Sequence, residues 1–339
     1  MNVYNITELM GDGIADELSK SVHTVIAALP LKLEIEQIDL SLEERRKDNK
    51  GCYERAFTSM SRTAATLKYP TVTETESPNK VLRERCKFSV IHRPCVSIPG
   101  VPTNFKKPID IDIVRVATGG TYDDAGRRIG LHSAVSVRVI EKLPCRLAAQ
   151  YAYQLAGKRG RTVISSSKYT IQKATDGLFE EAVDEVARQY QFIKHERVLF
   201  DALLAKLTMQ PESVQVVVCP NEYGDFLSDA AAGLIGSLGL ADSANYSYRE
   251  DGSVHLAMFD PAGGTAPDIA GKNLANPTAA LFALSTMLIF LGEVEVGGRV
   301  KAAVLKCLEE GKRTKDLGGS LGTDAFTGAV AELLKGAAK

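Results

Sequence analysis

The stretch Val214-Gln-Val-Val-Val-Cys219-Pro-Asn221-Glu-Tyr-Gly-Asp225-Phe-Leu-Ser-Asp229 joins a run of apolar residues to a segment with two aspartates four residues apart. The apolar run predicts a buried strand, and on a following helix residues i and i+4 lie one above the other. Two carboxylates on one face, between apolar neighbours, suit a hard divalent cation such as Mg²⁺, which takes oxygen ligands. A solvated acidic face near a helix start is the alternative interpretation.

Short apolar runs and helical patterns alternate along most of the chain. Residues 111–115 and 163–164 resemble strands, whereas residues 177–190 carry apolar side chains at three- and four-residue spacing, as an amphipathic helix does. This alternation predicts an α/β architecture. The 339 residues are enough for two domains, and the proline-rich stretch 93–102 is predicted to cross between them.

Composition and charge argue against several kinds of partner. A formal net charge of −1 gives no reason to expect nucleic acid or an anionic membrane surface. The most apolar helix candidate, residues 279–291, is well short of the ~20 residues that a membrane span needs.

The six cysteines are scattered without CxxC spacing, which fits a reducing compartment. Since no secretory signal opens the sequence, we expect a cytoplasmic protein, or a mitochondrial matrix protein if a presequence has been removed.

Basic, hydroxyl and amide side chains recur in three segments upstream of the two aspartates. The segments are Ser77-Pro-Asn79-Lys-Val-Leu-Arg83, Ile91-His-Arg93-Pro-Cys95 and Val114-Arg115-Val-Ala-Thr-Gly-Gly-Thr-Tyr122. Guanidinium groups bind carboxylates bidentately and keep their charge when desolvated, so the three arginines predict a pocket for a small polycarboxylate. Lys80 and His92 are expected to add basic groups nearby. Any one arginine alone is better explained as a surface or ion-pair residue.

These segments resemble the metal-dependent β-decarboxylating 2-hydroxyacid dehydrogenases, which include isocitrate, isopropylmalate, homoisocitrate and tartrate/malate dehydrogenases. The resemblance runs from Gly11 to about Pro277 and is closest to NAD-isocitrate dehydrogenase. The motifs that carry it are Ser77-x-Asn79-x-x-x-Arg83 with Arg93-Pro, Arg115 seven residues before Tyr122, Lys168 ahead of Thr-Asp176-Gly-Leu-Phe, Asp201, Asp225 with Asp229, and Gly264-Thr-Ala-Pro-Asp-Ile-Ala-Gly271 with Asn276-Pro277.

The resemblance implies oxidative decarboxylation of a 2-hydroxy acid, with NAD and with Mg²⁺ or Mn²⁺ as cofactors. It implies that the substrate is bound by Ser77, Asn79, Arg83, Arg93 and Arg115, and that the metal is held by Asp201, Asp225 and Asp229. Lys168 would accept the proton of the hydroxyl group, and Tyr122 would protonate C3 after loss of CO₂. The coenzyme would be bound by Gly264, Thr265, Ala266, Asp268, Ile269 and Asn276.

The resemblance also implies an architecture and an assembly. It predicts two α/β domains that are not of the Rossmann type, with the active site in the cleft between them. The larger domain would comprise residues 1–96 plus 236–339 and carry the coenzyme loop. The smaller, residues 97–235, would carry the metal aspartates and a dimer interface. In this family the lysine and the first aspartate come from the neighbouring subunit, so a homodimer or higher homo-oligomer with shared active sites is expected.

Several positions depart from the family pattern, and they leave the substrate and role open. Gly263 stands where the coenzyme loop usually has a histidine, Thr170 replaces an asparagine, and residues 116–120 lack the glutamate that lies next to the nicotinamide. Asp268 favours NAD, because its charge would repel the 2′-phosphate of NADP. Isocitrate or a close 3-substituted malate is the predicted substrate. The alternatives are a γ-modified (for example phosphonate) or isopropylmalate-like substrate of a specialised pathway, and a non-catalytic regulatory subunit of a hetero-oligomeric NAD-isocitrate dehydrogenase.

Overall fold

A computed structural model describes residues 2–336 of the chain. The strands are β1 (Val3–Met10), β2 (Lys32–Asp39), β3 (Ala65–Lys68), β4 (Phe88–Val96), β5 (Asp110–Val116), β6 (Arg127–Ile129), β7 (Ser133–Val135), β8 (Val163–Ser167), β9 (His195–Leu199), β10 (Val216–Cys219), β11 (Asp242–Tyr248) and β12 (Val254–Pro261). The α-helices are α1 (Ala15–Ile26), α2 (Leu42–Thr63), α3 (Pro78–Arg85), α4 (Lys142–Arg159), α5 (Thr175–Ala187), α6 (Phe200–Met209), α7 (Asn221–Leu234), α8 (Thr278–Phe290), α9 (Val294–Glu309) and α10 (Thr323–Gly336).

The predicted α/β class is confirmed by the order of these elements. The three apolar runs are strands β5, β8 and β10, the amphipathic segment is helix α5, and the two aspartates lie on helix α7. Helix α8 is buried on nearly every side, as expected for its apolar sequence. Within residues 2–336, no helix is both long enough and apolar enough to cross a membrane. All six cysteines are buried free thiols.

The chain divides into two compact units. Unit 1 consists of Met1–Cys86, Ser97–Asn104 and Ala232–Lys339, and unit 2 consists of Lys87–Val96 and Phe105–Ala231. These boundaries differ from the predicted ones: residues 97–104 and 232–235 lie in unit 1, and residues 87–96 lie in unit 2. The reason is strand pairing: β4 pairs antiparallel with β5 along its length, from Val90 opposite Val116 to Val96 opposite Asp110.

Unit 2 contains strands in the order β4-β5-β10-β8-β9. Strands β5, β10, β8 and β9 run parallel to one another. Parallel strands end at the same edge of a sheet, and in α/β sheets that carboxyl edge is where ligands bind. Arg115 near the end of β5, helix α7 after β10, Lys168 after β8 and Asp201 after β9 all lie at this edge.

Unit 1 contains strands in the order β2-β1-β3-β12-β11. Strand β1 is parallel to β2 and β3, and β12 is parallel to β3, whereas β11 is antiparallel to β12. The carboxyl ends of β1 and β12 therefore share one edge. The glycine turn at residues 11–13 and the loop at residues 262–277 leave from that edge, which brings two segments far apart in sequence next to each other.

Candidate active site

Arg115 and helix α7 form the centre of the cluster in unit 2. Arg115 is 1% exposed; its Nε donates to Asn221 Oδ1 at 2.8 Å, and its Nη1 makes an ion pair with Asp225. The helix can approach β5 this closely because residue 224 is glycine: a Cβ at Gly224 would lie 2.5 Å from the Cβ of Arg115. Glycine at position 224 is thus required for the close packing of helix α7 against Arg115.

Arg93 reaches the same helix from β4. It is 6% exposed, and its Nη1 donates to Ser228 Oγ at 2.6 Å and to Asp225 Oδ1 at 3.3 Å. The same nitrogen lies 3.6 Å from Asp229 Oδ1. Two buried guanidinium groups therefore converge on the two aspartates, as expected of a site that also binds carboxylates of a ligand.

Tyr122 completes the group around Asp225. Its hydroxyl donates to Asp225 Oδ2 at 3.0 Å, and the Arg115 guanidinium lies 5.8 Å from the centre of its ring. Burial, and then the charge of Asp225, raise the pKa of Tyr122 to about 12. The phenol is consequently protonated at neutral pH and is able to act as a proton donor.

The two aspartates fit a hard cation by the chemistry of their oxygens. Burial is the main cause that raises the pKa of Asp229, and the charge of Asp225 adds to it, although Arg93 opposes both. A nearby divalent ion would offset the free-energy cost of burying the charged carboxylate, because it pairs with the charged form. Across residues 2–336, no group of three or more His, Cys, Asp or Glu side chains is placed to hold a metal. A single chain thus offers Asp225 and Asp229, and Asp201 does not join them.

Lys168 and Asp201 form a separate pair at the carboxyl edge of unit 2. Lys168 Nζ lies 2.9 Å from Asp201 Oδ1, and both side chains are partly exposed, at 32% and 67%. The backbone N–H of Lys168 donates to Asp176 Oδ2 at 2.7 Å, which holds the residue that follows β8 in place. The hydrogen bond from Lys168 is the main cause that lowers the pKa of Asp201. The Lys168 ammonium and the Asp201 carboxylate are therefore paired with each other and accessible to solvent.

Three predicted substrate residues lie on or beside helix α3 of unit 1. Ser77 is the N-cap, and its Oγ accepts from the Lys80 N–H at 3.5 Å. Asn79 and Arg83 lie four residues apart on the helix, so their side chains share one face. Arg83 is 7% exposed, and no hydrogen-bond partner reaches the buried Asn79 Oδ1 from any residue in the range 2–336.

The predicted coenzyme residues lie on the loop that follows β12 in unit 1. The Thr265 carbonyl accepts from the Ile14 N–H at 3.0 Å, and Ala266 adopts φ +39°. Asp268 is exposed, as a group that contacts ribose hydroxyls must be. Asn276 is engaged within the protein: its Nδ2 donates to Asp316 Oδ2 at 2.9 Å, and its Oδ1 accepts from the Thr278 N–H at 3.0 Å.

His92 does not contribute to the cluster, so the expectation that it adds a basic group near the substrate is wrong. Successive side chains of a strand point to opposite faces, and Arg93 takes the face towards α7. His92 Nε2 lies 2.9 Å from Asp112 Oδ1, and its Nδ1 lies 3.0 Å from the Tyr151 hydroxyl. Lys80 Nζ lies 3.6 Å from Glu84 on its own helix.

Two residues of the cluster were missed by the sequence analysis. Asn221 orients Arg115, and Ser228 orients Arg93. Both were recognisable, because on a helix positions four before and three after Asp225 share its face.

A comparison with known protein families identifies the family of this chain. The family model described as isocitrate/isopropylmalate dehydrogenase matches residues 5–332. The chain belongs to the isocitrate/isopropylmalate dehydrogenase family. Membership of this family of decarboxylating dehydrogenases supports an oxidoreductase role, and it confirms the predicted resemblance.

Individual family members agree in sequence and in fold. A mitochondrial regulatory subunit of NAD-isocitrate dehydrogenase from Dictyostelium discoideum is 37% identical, over 96% of this chain and 90% of its own length. An isocitrate/homoisocitrate dehydrogenase of Thermus thermophilus is also 37% identical, over 98% of this chain and 99% of its own. The crystal structure of isocitrate dehydrogenase from Methylococcus capsulatus superposes with a TM-score of 0.90 at 30% identity, covering 98% of this chain and 99% of that one.

Proposed function

We propose that this family member is a catalytic, NAD-dependent dehydrogenase that oxidises and decarboxylates isocitrate or a close 3-substituted malate. The observation that carries the proposal is the convergence on Asp225 of Arg93, Arg115 and Tyr122. An anion-binding pair, a metal-binding carboxylate and a protonated phenol are the groups that such a reaction needs in one place.

Side chains of the protein itself would orient the substrate and transfer its protons. Without ligand, the guanidinium groups of Arg93 and Arg115 are compensated by Asp225. We propose that they turn to carboxylates of the substrate, because fork-shaped donors orient a carboxylate in two dimensions. Tyr122 then donates its proton to C3 after CO₂ has left, and Lys168 receives the proton of the C2 hydroxyl group.

The cofactors supply what these side chains lack. We propose that Asp225 and Asp229, with Asp201, would hold Mg²⁺ or Mn²⁺. When bound, the ion supplies Lewis-acid stabilisation of negative charge on substrate oxygens, and NAD supplies the hydride acceptor.

We propose that the metal site is completed by a second copy of the chain. One chain contributes two carboxylates to the cluster on α7, and no third acidic group joins them among the residues that the structure describes. Lys168 and Asp201, in contrast, form an ion pair whose side chains are partly exposed. In a homodimer, each copy would contribute this pair to the site of the other, so that every site has three aspartates and a lysine.

Helix α3 supports a substrate with a polar substituent. The Ser77 hydroxyl accepts from the Lys80 N–H, so its own proton remains for an outside acceptor such as a γ-carboxylate. Asn79 adds amide groups one turn before Arg83. This polarity favours isocitrate or an analogue with an anionic γ-group over isopropylmalate, whose substituent is apolar.

Asp268 is proposed to select NAD, and its replacement should change the coenzyme. We expect Asp268→Lys combined with Ile269→Tyr to raise the ratio of kcat/KM for NADP to kcat/KM for NAD by about a hundredfold, since attraction replaces repulsion at the 2′-phosphate. Asp251→Lys, in an exposed turn of the same unit, makes the same change in net charge away from the loop. An equal shift in this control would assign the effect to overall charge and contradict the proposal.

Gly263 is expected to weaken coenzyme binding without distorting the loop. A Cβ at Gly263 would meet no atom within 4 Å, and its φ lies outside the left-handed region. Gly263→His should therefore fold normally and lower KM for NAD about fivefold, the gain of about 1 kcal/mol that one added contact brings. Gly263→Ala is the control for the backbone. An unchanged KM in the histidine variant would show that the missing side chain has no role.

A regulatory subunit is the second candidate function. The Dictyostelium relative named as a regulatory subunit is 37% identical, and the altered coenzyme surroundings at Gly263 and Thr170 point the same way. The intact geometry around Asp225 favours catalysis. Purified homomeric protein with Mn²⁺ and NAD separates the two by absorbance of NADH over a panel of malates that differ at C3, including isocitrate, homoisocitrate, isopropylmalate and a phosphonate analogue. Turnover of one of them supports the enzyme, and no turnover of any overturns it.

A further inference from the structure

The loop of residues 263–276 is tied to the first turns of helix α1. Glu17 Oε2 accepts from the Gly271 N–H at 3.0 Å, and Glu17 Oε1 accepts from the Asn273 N–H at 2.8 Å. The Ile14 N–H donates to the Thr265 carbonyl at 3.0 Å. One carboxylate thus receives two backbone donors from a segment more than 250 residues away in sequence.

The same loop is tied from its other side by the start of helix α10. Asn273 Oδ1 accepts from the Asp324 N–H at 2.9 Å, and its carbonyl accepts from the Thr323 N–H at 3.1 Å. Thr323 Oγ1 donates to the Ala275 carbonyl at 2.6 Å. The loop is therefore fastened at residues 271–275, directly after the segment that carries Asp268.

The backbone at the fastened end has a conformation that needs such support. Gly271 has φ +71° and Asn273 has φ +58°, both in the left-handed region. An asparagine there is disfavoured relative to extended or helical backbone, and it persists where its surroundings hold it. A carboxylate at the start of a helix is favoured by the helix dipole, and it accepts from N–H groups more strongly than a neutral oxygen does.

We propose that Glu17 is a positioning residue for coenzyme binding: its carboxylate holds the loop in the conformation that presents Asp268 to NAD. The inference rests on the proposed function, in which this loop binds NAD. Glu17 touches the backbone of the loop, so its effect on the coenzyme is indirect. Holding a loop in its bound conformation before the ligand arrives reduces the entropy lost on binding.

The experiment compares Glu17→Gln with Asp16→Asn. Asp16 lies in the same first turn of α1, is exposed, and loses the same charge in its variant, so effects on the helix itself are shared. The glutamine keeps one acceptor oxygen and turns an amide NH₂ towards the other backbone donor. Hydrogen–deuterium exchange of the unliganded proteins reports on the loop without any coenzyme, and calorimetry with NAD reports on binding.

We expect Glu17→Gln to raise the exchange rate of the amides in residues 263–276 about tenfold and the Kd for NAD about tenfold, the size of effect that loss of a hydrogen bond to a charged group produces. In turnover, KM for NAD should rise while kcat at saturating NAD and KM for the hydroxy acid stay unchanged. Asp16→Asn should match wild type in all of these measurements.

The outcomes separate this inference from the proposed function. If wild-type protein does not bind NAD, the proposed function fails, whereas the exchange measurement still tests the contact between Glu17 and the loop. If wild type binds NAD but the two variants exchange equally, Glu17 does not hold the loop. If exchange rises in Glu17→Gln while its Kd for NAD stays at the wild-type value, the positioning role is overturned.

Discussion

Asp225→Asn is expected to lower kcat/KM by at least about a thousandfold and to abolish stabilisation of the protein by Mn²⁺. Asp225 accepts from Arg93, Arg115 and Tyr122, and it is one of two carboxylates on α7 proposed to hold the metal. The amide keeps the shape of the side chain but loses the charge, so we expect the variant to lose both its affinity for the metal and the orientation of the arginines that are proposed to bind the substrate.

The unliganded variant should also be less stable, by about 1–3 kcal/mol in the free energy of unfolding, because the two buried arginines lose their charged acceptor. Thermal unfolding with and without Mn²⁺, together with initial rates, gives both readouts. Glu181→Gln, an exposed acid on helix α5, is the control for loss of one negative charge. An equal rise in Tm with Mn²⁺ in wild type and Asp225→Asn would refute the metal site on α7.

Mixed dimers of Lys168→Met and Asp225→Asn are expected to recover about a quarter of wild-type activity, although each variant alone is inactive. Random mixing makes about half of the dimers hybrids, and in a shared-site hybrid one of the two sites receives both native residues. Lys168→Met alone should reduce kcat at least about a hundredfold, as removal of a general base does.

The mixing experiment depends on which chain contributes Lys168. In the structure Lys168 pairs with Asp201, and Asp225 pairs with the two arginines. If a working site used Lys168 and Asp225 of the same chain, every site in a hybrid would be defective. Hybrids isolated after co-expression with two different tags should show about half of wild-type activity, since one of their two sites is intact. Activity no greater than that of the separate variants would exclude shared sites.

The face of α7 illustrates what local sequence is able to predict. Asp225 and Asp229 are four residues apart, and helix geometry alone places them on one side. The same spacing extends to Asn221 and Ser228, which contact Arg115 and Arg93. The wrong expectation for His92 has a local cause as well, since the alternation of a strand that presents Arg93 to α7 turns His92 away.

The sequence by itself determined the α/β class and the strands and helices of the candidate site, because these follow from periodicity along the chain. The spacing of its motifs carried the family resemblance, which the family comparison confirmed. Tertiary structure decided that β4 belongs with β5 in unit 2, that Arg93 and Arg115 converge on one aspartate, and that Glu17 fastens a loop more than 250 residues away. These features depend on which distant segments become neighbours when the strands assemble. Strand order is set by packing of the whole unit, and the spacing of residues within any one segment does not encode it.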